Sequence, residues 1–154
     1  MKNITIIVGA RPNFMKVAPL LRQLKKSNSF KFSLIHTGQH YDKKMSDVFF
    51  KDLNIPKPDY NLNVRSGSHA TQTAKIMVLF EELCFKIKPD LLIVVGDVNS
   101  TMACSVVAKK LHIKVAHIEA GLRSNDRDMP EEINRLITDS ITDYYFVTED
   151  SGRN

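Results

Sequence analysis

The chain has 154 residues, 43% of them hydrophobic and 25% charged, with a formal net charge of +5. That is the make-up of one globular domain with room for a real core. No apolar run nears the ~20 residues of a membrane span, and the first strand-like run, Ile4 to Val8, is too short for a signal-peptide core, so a cytoplasmic protein with no membrane partner is expected.

Strand-like and helix-like patterns alternate along the chain. Asn3 to Val8 is a β-branched run that ends in Gly9. Pro12 to Lys26 has helical spacing, with Phe14, Val17, Ala18, Leu21 and Leu24 on one face and Pro12 suited to the first turn. Lys31 to His36 reads as a second strand, closed by Thr37-Gly38. Lys43 to Leu53 reads as a helix with Met45, Val48, Phe49 and Leu53 inward. A Pro-containing connection and a polar stretch around Arg65-Ser66-Gly67-Ser68 follow. His69 to Lys86 is the longest helical pattern, carrying Ile76, Leu79, Phe80 and Leu83. Asp90 to Val95 is aliphatic, as a parallel strand buried on both faces requires. Asn99 to Leu111 reads as a helix, Lys114 to Ile118 as a strand, Pro130 to Thr142 as a helix and Tyr144 to Thr148 as a last strand. Such alternation predicts an α/β domain, a doubly wound parallel sheet of about six strands.

Charge and cysteines narrow the chemistry. Lys25-Lys26, Lys43-Lys44 and Lys109-Lys110 fall near helix ends or on solvated faces. The aromatic residues occupy apolar positions rather than interleaving with a basic stripe, which argues against a nucleic-acid partner. Cys84 and Cys104 lie in apolar helical stretches and read as reduced packing residues, with no zinc or other metal site expected.

In open parallel sheets, ligands bind beyond the carboxyl ends of the strands. The unusual residues gather in those loops: Gly9 to Lys16, Thr37 to His40, Gly96 to Thr101 and His117 to Arg123. The first loop lacks the spacing of a dinucleotide fingerprint, so a nicotinamide site is unsupported. Arg11 opens a helix whose dipole disfavours a cation, and with free amides at that end it suits a phosphate-bearing ligand. Lys16 follows one turn on. Asp97 read alone is a helix cap, and His117 a structural hydrogen-bonding residue. Glu119 emerges from a buried strand, where a carboxylate is costly unless paired or solvated. Glu131 and Arg135 are four apart on one helix, the spacing of a modest ion pair.

Together these segments resemble the non-hydrolysing UDP-N-acetylglucosamine 2-epimerase family. The matching pieces are Gly9-Ala10-Arg11-Pro12-Asn13-Phe14-Met15-Lys16 with Ala18-Pro19-Leu20, Thr37-Gly38-Gln39-His40, Gly96-Asp97 with Ser100-Thr101, His117-Ile118-Glu119-Ala120-Gly121-Leu122-Arg123, and Pro130-Glu131-Glu132-Ile133-Asn134-Arg135. The resemblance implies a Rossmann-like N-terminal lobe of a GT-B-type two-domain enzyme, with residues 1–154 as that one domain and a C-terminal nucleotide-binding domain as the missing partner. It implies a homodimer that interconverts UDP-N-acetylglucosamine and UDP-N-acetylmannosamine for surface polysaccharides, using no cofactor. UDP leaves C1 as the C2 proton is removed, and both return with the proton on the opposite face. By the same resemblance, Asp97, Glu119 and Glu131 are the catalytic carboxylates, and Arg11, Lys16, Gln39, His40 and Arg135 bind the substrate. The lone lobe is expected to be inactive. Tyr41-Asp42-Lys43-Lys44 departs from the family pattern.

Three other readings stand beside this one. The chain reads as a non-catalytic dimerisation module if its two apolar helices, His69 to Lys86 and Asn99 to Leu111, serve only self-association. It reads as part of a hydrolysing relative if free sugar is the product, although the Arg-Pro-Asn-Phe-Met-Lys loop favours the non-hydrolysing branch. A receiver-type signalling domain would need paired aspartates after the first strand, where Arg11 stands instead.

Overall fold

A computed structural model describes residues 1–38 and 47–153. Its strands are β1 (Lys2–Val8), β2 (Phe30–His36), β3 (Tyr60–Asn61), β4 (Leu91–Val95), β5 (Lys114–Ile118) and β6 (Tyr144–Phe146). They form one parallel sheet in the order β3-β2-β1-β4-β5-β6. The helices are α1 (Arg11–Lys26), α2 (Asp47–Asp52), α3 (His69–Ile87), α4 (Asn99–Lys110) and α5 (Pro130–Ile141). The order reverses between β1 and β4, which opens a crevice at their carboxyl ends.

The period of two along β1 explains why both sheet faces are covered. Ile4, Ile6 and Val8 pack with Phe14, Val17 and Leu21 of α1 and with Phe49 and Phe50 of α2. Ile7 packs on the other face with Ile76, Phe80 and Leu83 of α3 and Cys104 and Val107 of α4. The sheet is thus Rossmann-like, and its central strands are apolar on both sides as their composition requires.

Three expectations need correction. The helix expected from Lys43 is described only as α2, and its inward face differs. Val48 is 62% exposed, whereas Phe49 and Phe50 are buried and meet the Phe14 ring edge-on at 6.0 and 5.4 Å. Burying both rings turns the short helix away from the phase that would bury Val48; Met45 lies outside the described residues. The polar connection hides β3, which pairs with β2 through only Ile35 and His36. The last strand ends at Phe146, two residues early, because the backbone carbonyl of Phe146 accepts from Glu119 and Ala120.

Candidate active site

The site begins where β1 hands over to α1. Gly9 has no room for a side chain: a Cβ there would stand 2.7 Å from Ser100 Oγ, which bonds Thr37 Oγ1 at 2.7 Å. The ends of β1 and β2 are thereby clamped to the start of α4. Asn13 turns back and its Oδ1 accepts from the N–H groups of Gly9 and Ala10, both at 3.0 Å. The Asn13 N–H bonds the Ala10 carbonyl, and Pro12 has none. The free amides expected beside Arg11 are therefore largely spent inside the turn. Arg11 itself lies over the Phe49 ring, 4.8 Å from its centroid.

One helical turn on, Lys16 Nζ meets Glu119 Oε2 at 2.8 Å. The pair is half open to solvent and lies across the β1–β4 crevice. Glu119 adopts a left-handed backbone with φ 68, uncommon for any residue with a Cβ. Gly96 is also left-handed, at φ 71, and leaves a gap there. A Cβ on it would lie 3.6 Å from Asn13 Nδ2, 3.7 Å from Glu119 Oε2 and 4.0 Å from Lys16 Nζ.

Asp97 comes next, and it does not cap α4. The N-cap is Val98, without a side-chain bond. The Asp97 carboxylate instead takes Arg135 NH2 at 3.3 Å, and its backbone carbonyl accepts from Asn134 Nδ2 at 2.9 Å. Arg135 does not pair with Glu131 as helical spacing suggested; its other partner is Glu132 Oε2 at 3.0 Å. The buried Glu132 also accepts from the N–H groups of Ser124 and Asn125. Burial opposes its charge, but these bonds and Arg135 outweigh that and hold its carboxyl below the usual range. Glu131 is left to face a recess of about 250 Å³ lined by His69, Gln72, Asn99 and Asn134. Those side chains are already linked, with Asn99 Nδ2 donating to Gln72 Oε1 at 2.9 Å and Asn134 Nδ2 to Asn99 Oδ1 at 3.1 Å.

Beneath the crevice, fully buried His117 ties the loops together. Its Nε2 donates to the Gly96 carbonyl at 2.7 Å and its Nδ1 meets Asp139 Oδ1 at 2.7 Å. Asp139 also accepts from the Gly121 N–H at 3.0 Å and Arg123 NH1 at 2.6 Å. Burial would raise its pKa, and these donors reverse that, keeping it below the ordinary range.

The structure thus brings Lys16 to Glu119 and Arg135 to Asp97, places Glu131 in an adjoining recess and stacks Arg11 on an aromatic ring at the rim. Gln39 and His40 lie outside the described residues. Among those described, no group of His, Cys, Asp and Glu side chains is placed to hold a metal. Cys84 and Cys104 are free and buried, the Cys84 thiol pushed up to about 12 by burial and then by Glu81. Sequence reasoning missed Asn13, Glu132 and Asp139. A signal existed for the last two: with Arg135, they fall at positions 132, 135 and 139, one helical stripe of charge.

The family model for UDP-N-acetylglucosamine 2-epimerase matches residues 22–154. The chain belongs to that family. The UDP-N-acetylglucosamine 2-epimerase of Methanocaldococcus jannaschii is 48% identical over 151 residues, 98% of this chain and 41% of that protein. A crystal structure of the same archaeal enzyme in complex with UDP-GlcNAc and UDP superposes with a TM-score of 0.94, at 48% identity, over 99% of this chain and 42% of that one. A UDP-2,3-diacetamido-2,3-dideoxy-D-glucuronate 2-epimerase of Pseudomonas aeruginosa is 46% identical over 146 residues, 95% of this chain and 41% of that protein. The chain therefore spans about two fifths of the length of these relatives.

Proposed function

We propose that this chain is the N-terminal catalytic-side lobe of a UDP-N-acetylglucosamine 2-epimerase that interconverts UDP-N-acetylglucosamine and UDP-N-acetylmannosamine. The observation that carries the reading is the crevice at the β1–β4 reversal, where the Lys16–Glu119 and Arg135–Asp97 pairs flank a left-handed Gly96. Elimination needs groups of both signs there. A base takes the C2 proton, the C2–H electron pair forms the C1–C2 double bond, and the C1–O pair leaves on UDP. Return of UDP to C1 and of a proton to the opposite face of C2 completes the exchange. The carboxylates of Asp97, Glu119 and Glu131 share the acid, base and charge-stabilising roles. Lys16 and Arg11 neutralise the departing diphosphate. Arg135, bonded to two carboxylates, orients Asp97 as much as it binds substrate.

Most of the uridine grip is assigned to the second lobe, so the chain alone is inactive. Self-association is part of the same reading: Val78 and Phe85 of α3 are exposed, and Met77, Met102 and Ile133 line an apolar groove between helices. So are a cytoplasmic setting and a role in surface-polysaccharide synthesis; no helix among the described residues is long and apolar enough to cross a membrane.

The test is to supply the lobe that completes the enzyme and follow the sugar nucleotide by proton NMR in heavy water. Appearance of the mannosamine epimer with solvent deuterium at C2 is expected. Free sugar in place of the UDP-linked epimer would show the hydrolysing reaction instead, and turnover only of the diacetamido-glucuronate nucleotide would reassign the substrate. Titration of UDP into the chain alone should show weak binding; tight binding would overturn the placement of the uridine site.

A further inference from the structure

The strands of a parallel sheet all begin at one edge, and the candidate site occupies the other. At the starting edge stand Lys2 and Lys114, which open β1 and β5, and Lys31, the second residue of β2. The last turns of α1 and α3 deliver Lys25 and Lys86 to the same edge. A helix dipole accounts for a lysine in a last helical turn. The same dipole favours Lys88, the C-cap residue of α3 (φ 46), but it does not account for lysines at strand starts.

Two nearby acids are already paired with lysines, and a third, Asp59, accepts from the Leu34 N–H at 2.8 Å. Asp90 pairs with Lys2 at 3.8 Å, and Asp143 with Lys109 and Lys114 at 2.8 and 3.0 Å. Among the described residues no carboxylate pairs with Lys25, Lys31, Lys86 or Lys88. Lys25, Lys31 and Lys86 rim an open groove of about 600 Å³ that also includes Phe30 and Tyr60, residues 41% and 39% exposed. A second groove shares Phe30 and runs on to Lys114 and Tyr144.

Flexible ammonium groups spread around half-exposed aromatic rings suit a broad, diffuse negative surface better than a single small anion. Each lysine held near an anionic bilayer contributes about 1 kcal/mol, and aromatic rings favour the headgroup level. We propose that this edge is a docking surface for an anionic lipid bilayer, centred on Lys25, Lys31 and Lys86 around Phe30. No membrane span is needed for such contact, so the absence of one, which led the sequence reading to expect no membrane partner, does not bear on it. Docking here leaves the opposite edge, with Lys16 and Glu119, facing solvent. The proposal stands apart from the epimerase reading and is tested without activity.

The experiment is flotation of the chain with vesicles of equal parts phosphatidylglycerol and phosphatidylcholine, and with pure phosphatidylcholine, at about 0.15 M salt, where exposed charges more than ~8 Å apart are screened. Binding to the anionic vesicles alone is expected. The triple variant Lys25→Glu, Lys31→Glu, Lys86→Glu should lower the partition coefficient at least tenfold. A control with the same charge change elsewhere, Arg65→Glu, Lys75→Glu, Arg127→Glu, should lower it much less; circular dichroism confirms that both fold. No binding by the parent chain, equal binding to neutral vesicles, or an equal loss in the control would overturn the proposal. Tighter capture by duplex DNA than by vesicles, lost in the same triple variant, would also remove the bilayer as the occupant.

Discussion

Glu119 combines a strained backbone with a charge placed over the crevice. Left-handed φ for a residue with a Cβ costs on the order of 1 kcal/mol, and the half-exposed pair with Lys16 returns a fraction of that. Position and stability therefore pull in opposite directions at this residue. Replacing Glu119 with glycine should leave the Tm unchanged or raise it by a few degrees, because glycine adopts this φ without strain. The more conservative Glu119→Gln should fold as well as the parent and lower epimerisation at least 100-fold in the two-lobe enzyme, within the range removal of an acid–base group produces. A Tm drop of several degrees in the glycine variant would show that the Lys16 contact, not the backbone, dominates.

At the scale of elements, the site depends on strands and helices approaching unusually closely. Gly9 lets β1 touch the first turn of α4, so Gly9→Ala should lower stability by about 1–3 kcal/mol in urea unfolding, the range for an overpacked core. Adding Ser100→Ala removes the nearest clashing atom and should restore part of the loss; no restoration would place the strain elsewhere. α5 is held to the sheet by a different device. Asp139 joins it to His117, Gly121 and Arg123 at once. Asp139→Asn leaves that cluster short of a charge and should cost about 3 kcal/mol, the lower end for breaking a buried pair. A loss well under 1 kcal/mol would mean that the cluster is solvated and not structural.

Across the whole molecule, acid acts in two stages. His36 is buried beside Phe14, its Nε2 has no hydrogen-bond partner among the described residues, and burial lowers its pKa to about 4. Between its ordinary value near 6.5 and 4, the unfolded chain binds the proton that the folded chain refuses. Stability therefore falls as pH drops through that window, by roughly 2–3 kcal/mol in total. The second stage has the opposite origin. Glu132, Asp139 and Asp143 carry lowered folded pKa values, Asp143 at about 2. Their contribution is complete above the ordinary carboxylate range and is lost as pH falls through those values. Urea midpoints measured from pH 7 to pH 3 should show both legs, and His36→Leu should flatten only the first. An unchanged slope between pH 6.5 and 4 in that variant would acquit His36.

Much of this was legible in the sequence. Aliphatic strands alternating with amphipathic helices admit few solutions other than a parallel sheet covered on both faces, because each element must bury its apolar side. Loops at the strand ends then had to converge, so Lys16, Asp97 and Glu119 were foreseeable as neighbours. β3 was not, since two residues of pairing leave no periodicity to read. Nor was the partner of Arg135: spacing along a helix offered Glu131, but the loop after β4 brought Asp97 within reach and left Glu131 facing its own recess. The lysines of the opposite edge are scattered from Lys2 to Lys114 and look like ordinary helix ends and strand starts. Local sequence determines which faces are apolar; only the crossing of distant segments determines which charges meet, because ion pairs and surface patches are set by distance in space and not along the chain.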